Sequence, residues 1–406
     1  MSSIKPLRKL VSKARDLRDR HSERHRPTGF GFALADSIEY LDSARWDALT
    51  AHDSLFLSRR YLRILEDARP ENLYPRYALI FREREAVAAI VAQSLKISVT
   101  RARKASRHKA LTAPLERLEE RMLVCGNLLS WGMHGVAFSP NTDQIAIWPA
   151  VAEAIYRLRR ADKLFGETDL VMVKDFTNED AAAAAVLSRF SYRSLETDPN
   201  MILEISPQWR TYDDYLGSLT SKYRKTARQI DKDVAAAGCA VEELSDPGEI
   251  ERHAETLHAL YLQTHHNARL RLVTLPMTFL PTLGTRLGED IRWTVVRRGE
   301  QLLGFVNTVR DGETAVGYYI GFDRAANAEA PIYFRLLQAV VDHAIRFGCR
   351  RLSLGRTALE PKARLGARPQ PMRVLVRHRI PMLNVLVRGL LHTVSHDEAP
   401  ERNPFK

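Results

Sequence analysis

LSLGRTALEPKARLGARPQPMRVLVRHR, residues 352–379, carries a short apolar strand into a basic loop punctuated by glycine, and then into a second strand. Between Arg350 and Arg379 there are nine Lys or Arg and a single acid, Glu360. So much positive charge on a strand-loop-strand corner suits an anionic ligand, and it suits a solvated basic surface equally well. What precedes the stretch decides how it is folded. IRWTVVRR, QLLGFVNTVR and TAVGYYIGF, residues 291–322, read as three successive strands with turns at Arg298–Glu300 and Asp311–Glu313. A helix over Pro331–Phe347 follows and ends at Gly348, ahead of a strand over Arg351–Leu354.

Working outward, the chain is long enough, at 406 residues with 45% hydrophobic residues, for two ordinary cores. Its formal charge of +12 favours contact with phosphates, anionic cofactors or an anionic membrane surface without choosing among them. Cys125, Cys239 and Cys349 are odd in number, far apart and without metal spacing, which argues against a disulfide framework or a zinc site. No apolar run is long enough to span a bilayer, and no signal-like segment opens the chain. A cytoplasmic protein is expected, with peripheral contact at the inner membrane surface left open.

Residues 1–28 begin with nine Lys or Arg before Pro27, with Leu7, Leu10, Val11, Ala14 and Leu17 near helical spacing, and read as a basic amphipathic helix. Residues 29–208 read as a first unit, with strands at Tyr77–Arg82, Val87–Lys96 and Leu170–Lys174 and helices at Pro149–Leu164 and Asn178–Ser188. The basic stretch Thr100–Arg121 reads as a loop passing into a helix or flap. Residues 209–380 repeat the order with a helical opening, Tyr212–Leu219 and Lys222–Ala236. Residues 381–406 form an amphipathic segment and tail. The fold class is α/β (α+β), two units of mostly antiparallel mixed sheet flanked by helices.

SKYRKTARQI at 221–230 and LSLGRTALEPKARLGA at 352–367, set after three antiparallel strands and a long helix, resemble the tandem GNAT-fold acyltransferases. Within these the chain is similar to the Fem-like, peptidoglycan-bridge-related branch, and CGNLLSWGMHG at 125–135 is similar to a segment of that branch's first unit. The resemblance implies transfer of an acyl or aminoacyl group from a thioester or tRNA ester to an amine. It also implies that the strand Ala315–Gly321 offers a backbone N–H to the carbonyl, and that the helix starting near Ala330 faces a cofactor pyrophosphate. GFDRAANAEAP lacks the glycine-rich phosphate loop of acetyl-CoA users. An acyl-CoA, an acyl-carrier-protein thioester or an aminoacyl-tRNA are the donors left open, tRNA or acyl carrier protein the partners, with no metal.

The chemistry needs a deprotonated amine, a polarised carbonyl and a stabilised leaving group. Glu360 is placed to take or orient a proton, or to pair with Arg356 or Lys362. Tyr318 and Tyr319 are on the strand expected to line the cleft, where the one that points inward donates to the leaving group, or they are aromatic core. His265 ends a helix beside His266, where imidazole serves as a base or as a cap. Lys222, Arg224, Lys225 and Arg228 share a helix, with Lys362, Arg364, Arg368 and Arg356 in the loop, and together these form a clamp for phosphate or carboxylate if the two segments face one cleft. Asn127, Ser130, Trp131 and His134 flank glycines that let a ligand approach, or simply build a tight turn. A second class stays open: a non-catalytic RNA- or anionic-membrane-binding protein on a degenerate transferase fold.

Overall fold

The computed structural model describes residues 22, 26–98, 119–140, 142–267, 271–384 and 402–406. The helix expected within 1–28, the flap over Thr100–Arg121 and most of the segment 381–406 lie outside the described residues.

In the first half the elements are β1 (Gly31–Ala35), α1 (Ser43–Thr50), α2 (Arg59–Asp67), β2 (Leu73–Arg82), β3 (Glu85–Ser98), β4 (Glu119–Cys125), β5 (Val136–Phe138), α3 (Gln144–Ala161), β6 (Leu170–Phe176), α4 (Asn178–Ala183) and β7 (Arg193–Glu204). The second half has α5 (Tyr212–Ser218), α6 (Ser221–Ala236), β8 (Ala240–Leu244), α7 (Pro247–Arg252), α8 (Ala254–His265), α9 (Phe279–Leu287) and β9 (Ile291–Arg298). It continues with β10 (Gln301–Asp311), β11 (Thr314–Phe322), α10 (Arg324–Glu329), α11 (Ile332–Arg346), β12 (Arg351–Ser353), α12 (Leu359–Arg364) and β13 (Arg368–His378).

Local chemistry explains several boundaries. The Thr177 and Asp180 side chains make a reciprocal capping box at α4, and Thr211 with Asp214 does the same at α5. Helix α3 starts earlier than the proline at 149 suggests, because Asp143 caps it by accepting from the Ile145 N–H. The basic corner after β12 is not all loop. Leu359–Arg364 is helical, entered through Ala358 at φ 50°.

All strands join in one continuous sheet, ordered β1-β2-β3-β4-β6-β13-β7-β12-β11-β10-β9-β8, with β5 beside β3. The two halves exchange strands. β7, the last strand of the first half, pairs antiparallel with β12 and β13 of the second, while β13 reaches back to lie between β6 and β7. Two cores form around α3 and α11, and each takes in a strand of the other half, Leu375 of β13 in the first and Met201 and Leu203 of β7 in the second. A third is shared: Tyr61, Phe56 and Leu129 pack with Phe279, Trp293, Phe305 and Tyr318. That shared core fixes the second half's meander against α1 and α2, and so positions the cleft between them.

Candidate active site

The sheet opens at one place. β11 and β12 run parallel only over Thr314–Val316 opposite Arg351–Ser353. Beyond that, the chain after β12 turns to β7, with the Leu354 N–H donating to Met201 O at 2.9 Å and the Met201 N–H to Gly355 O at 3.1 Å. β11 therefore loses its neighbour from Gly317 onward, which leaves a wedge between diverging strands. Trp131 of the first half bridges it. Its Nε1–H donates to Ser353 Oγ at 2.7 Å, and its ring centroid lies 6.1 Å from that of Tyr318. Gly355 has φ +76°, and a Cβ there would meet the Trp131 ring at 3.3 Å, so geometry and contact both call for glycine.

A register shift between Val306 and Thr308 sets both Tyr318 and Tyr319 opposite Asn307. The bulge turns both tyrosines toward the shared core, with ring centroids 4.5 Å apart. Tyr318 OH lies 2.5 Å from Tyr61 OH, which accepts from Asn127 Nδ2 at 3.1 Å. Tyr319 OH donates to Leu129 O at 3.1 Å. Asn127 Oδ1 in turn accepts from Gln93 Nε2 and from the Leu129 N–H. Burial pushes the Tyr318 and Tyr319 phenols well up, so both stay protonated at neutral pH. Asn127, Tyr318 and Tyr319 are thus joined into one network that ties the halves together.

Beneath Trp131 lies a charge cluster of which the sequence singles out Arg356 alone, not Lys174 or Asp175. Lys174 Nζ donates to Asn127 O at 2.8 Å and Ser130 O at 2.9 Å and pairs with Asp175, which also binds Arg356 from the second half. Asp175 also accepts from the Gly132 N–H at 3.1 Å. Burial works against the Asp175 carboxylate, but Lys174 and Arg356 more than offset it and hold it below the usual range. The signal available was the pair Lys174-Asp175 closing the apolar run LVMV, since opposite charges at the end of a buried strand must find partners. Asp175 and Ala358, at φ 66° and 50°, are non-glycine residues in the left-handed region on either side of the Arg356 contact.

His134 stacks on Phe56 at 4.6 Å, its Nδ1 lies 2.7 Å from Ser130 Oγ, and its Nε2 lies 3.8 Å from Asp311. Burial, with Lys174 nearby, lowers it to about 3, so it is neutral at pH 7. His265 stacks on Tyr261 at 5.1 Å, with Nε2 3.1 Å from Thr274 Oγ1, and burial lowers it to about 4.

On α12 the side chains divide sharply. Glu360 is paired with Arg364 and Arg402, each at 3.1 Å, and these cations hold its carboxyl below the ordinary range. Lys362, two residues on, points the other way. Its side chain is 4% exposed and pairs with no carboxylate among the described residues, while its Nζ is not among the fully enclosed unpartnered atoms and so keeps a contact with solvent. Burial alone lowers its ammonium to about 7. Helix α12 leads into Gly366, which touches Pro404 and Phe405, and Pro404 O accepts from the Thr220 N–H at the start of α6. On α6, Lys222, Lys225 and Arg228 are exposed, and Arg224 half-buried; none has a carboxylate partner among the described residues. Arg364 and Arg356 are occupied by Glu360 and Asp175, while Arg368 at the start of β13 is exposed.

The start of α11 is already satisfied from within. GFDRAANAEAP folds in part as α10, and Asn327 Oδ1 accepts the Tyr333 N–H at 2.8 Å. The Ile332 N–H donates to Ala330 O at 2.7 Å. A pyrophosphate would have to displace these groups. Among the described residues no cluster of His, Cys, Asp or Glu is arranged to hold a metal ion.

Residues 221–363 match the family model described as an acetyltransferase (GNAT) domain, about a third of the chain. The crystal structure of FemX superposes with a TM-score of 0.55 at 11% identity, covering 88% of this chain and 100% of that one. The chain has a Fem-like tandem GNAT fold. The C-terminal domain of a putative lysylphosphatidylglycerol synthetase from Agrobacterium fabrum matches at TM-score 0.49 and 11% identity, covering 89% and 98% of the two chains. A tandem GNAT protein from the clavulanic acid biosynthesis pathway matches at 0.49 and 11%, covering 87% and 99%. No curated protein matches the chain. The wedge between β11 and β12 lies in the second half of the chain, and Trp131, which bridges it, comes from the first.

Proposed function

We propose that the chain is an N-acyltransferase, moving an acyl or aminoacyl group from a thioester or tRNA ester to an amine, with its reaction centre between α6, α12 and the wedge of the second unit. The observation that carries this is Lys362, a buried amine without a carboxylate partner among the described residues, poised near neutrality on the α12 face opposite its ion-paired surface. At pH 7 about half of such amines are neutral, as a proton acceptor requires. As the acceptor nitrogen forms its bond to the carbonyl carbon, neutral Lys362 takes the proton that nitrogen sheds. The resulting ammonium returns it to the thiolate or ribose oxygen as the carbon–sulfur or carbon–oxygen bond breaks. The cations of α6, which have no carboxylate partner among the described residues, suit a polyanionic donor. The occupied start of α11 favours a donor carried on a protein or a tRNA over one anchored there by pyrophosphate. Glu360, paired on the outer face, is assigned to holding α12.

The test is a panel of acyl-CoAs, acyl-carrier-protein thioesters and aminoacyl-tRNAs offered with amine acceptors, with transfer read by mass spectrometry. Lys362→Ala should lower the rate by about 100-fold or more, and Glu360→Gln by no more than about threefold. The native rate should rise with pH through about 7, as the amine loses its proton. If no donor yields a product, or if Lys362→Ala keeps the native rate and pH profile, the reading fails.

A further inference from the structure

At the end of the sheet where β4 and β6 begin and β13 finishes, five large apolar side chains stand in solvent. Leu164 is 97% exposed and Phe165 68%, side by side in the turn after α3. Met382 is 79% exposed, with Ile380 and Leu383 near 40%. The segments that carry the two groups are joined at Asp169, whose backbone N–H donates to Arg121 O at 2.9 Å and whose carbonyl accepts from the Arg379 N–H at 2.8 Å. Their exposure is built in. Asn384 is buried and donates to Ser191 O at 2.9 Å while its Oδ1 accepts the His378 N–H at 2.8 Å, which holds the intervening residues outward. The turn bearing Leu164 and Phe165 is pinned likewise, by the buried ion pair Asp162–Arg76 at 2.7 Å.

The surround is cationic. Beside Leu164 lies a hollow of about 160 Å³ lined by Tyr156, Arg159, Arg160, Lys163, Glu167 and Thr168. Arg159, Arg160 and Arg121 have no carboxylate within ion-pair distance among the described residues, and Lys163 faces only the exposed Glu167 at 3.4 Å. Ser98 and Glu119 pair at this same end of the sheet, and residues 99–118 between them carry six Lys or Arg and one acid. Arg160 donates to Tyr156 OH at 3.3 Å and both arginines lie over the Tyr156 ring, so their charge is held in place without being neutralised. Protruding aliphatic and aromatic tips beside such cations match an interface with acyl chains below and phosphates above.

We propose that this face docks on an anionic phospholipid bilayer. A headgroup phosphate sits in the hollow of Arg159, Arg160 and Lys163, and Leu164, Phe165 and Met382 enter the acyl boundary. Each phosphate contact adds attraction that salt screens, and each apolar tip adds a part that it does not. The face lies apart from Lys362 and α6, so docking is independent of the transfer reaction.

The full chain should be sedimented with vesicles of phosphatidylcholine alone and with vesicles in which phosphatidylglycerol is about a third of the lipid. Native protein is expected to partition onto the anionic vesicles only, and to be weakened by raised salt. The pair Leu164→Glu with Phe165→Glu, and separately Arg159→Ala with Arg160→Ala, should each lower partition by about tenfold or more with thermal unfolding unchanged. The proposal is overturned if native protein ignores anionic vesicles, if it binds both vesicles alike, or if both double variants bind as the native chain does, which would assign binding to the basic segments 1–26 or 99–118. No acyl donor is present in this assay, so its failure leaves the transfer reading untouched.

Discussion

Lys362 is one of nine cations between Arg350 and Arg379, and in the sequence nothing separates it from its neighbours. What separates it is the turn of α12, which sends Glu360 and Arg364 outward and Lys362 inward. The corner reads as loop because glycines punctuate it, and a loop has no inner and outer face to predict. The buried amine has a thermodynamic signature with a definite sign. Folded, it titrates near 7; unfolded, near its ordinary value of about 10.4. Below pH 7 it is charged in both states, and the folded chain bears the whole cost of burying the charge. Between about pH 7 and 10 the folded chain holds fewer protons than the unfolded one, so stability rises with pH. Lys362→Met should therefore raise stability by ~2–4 kcal/mol at pH 6, with the gain fading toward pH 10, as followed by urea midpoints. A gain that does not vary with pH would show that the amine is not desolvated.

At the scale of elements, the meander β9-β10-β11 and helix α11 were legible to within a residue or so, because period-two apolar patterns and punctuating glycines are local signals. The bulge in β11 was not. Two adjacent tyrosines in TAVGYYIGF read as one facing in and one facing out, and only the pairing with β10 turns both to the same side. Nor could the sequence show that the first half bridges the wedge of the second, since Trp131 and Ser353 are brought together solely by the strand exchange. Trp131→Phe should cost ~1–2 kcal/mol, because Ser353 Oγ keeps its contacts with Asn200 at 2.9 and 3.1 Å. Trp131→Ala should cost ~3–5 kcal/mol by leaving the wedge empty. Equal losses for the two variants, measured by chemical denaturation, would show that the ring does not support the diverging strands.

For the whole molecule, the two-unit reading was right in fold, yet the units are not separable pieces of sheet. β6 and β7 have no bonds to each other; β13 lies between them. Pattern reading identifies β13 as a strand but carries no information about a partner so distant in sequence. Residues 1–208 produced alone should therefore fail to give a stable, soluble fold, and mixing in residues 209–406 should restore one. The intact chain should unfold in a single transition by both fluorescence and circular dichroism. Two well-separated transitions, or a stable isolated first half, would contradict the exchange.

The placement of β13 also sets an order of events during synthesis. β6 and β7 leave the ribosome with bare edges facing each other, and the strand that joins them, Arg368–His378, is made long after β7 ends at Glu204. The entropy of closing so long a loop grows only with the logarithm of its length, so the delay is a matter of time more than of stability. For that interval the nascent first half presents three unpaired strand edges, one of β6 and both of β7, to every other chain nearby, the situation in which edge-to-edge aggregation begins. Its yield in cells should accordingly depend on translation speed and on the chaperones that shield open sheets.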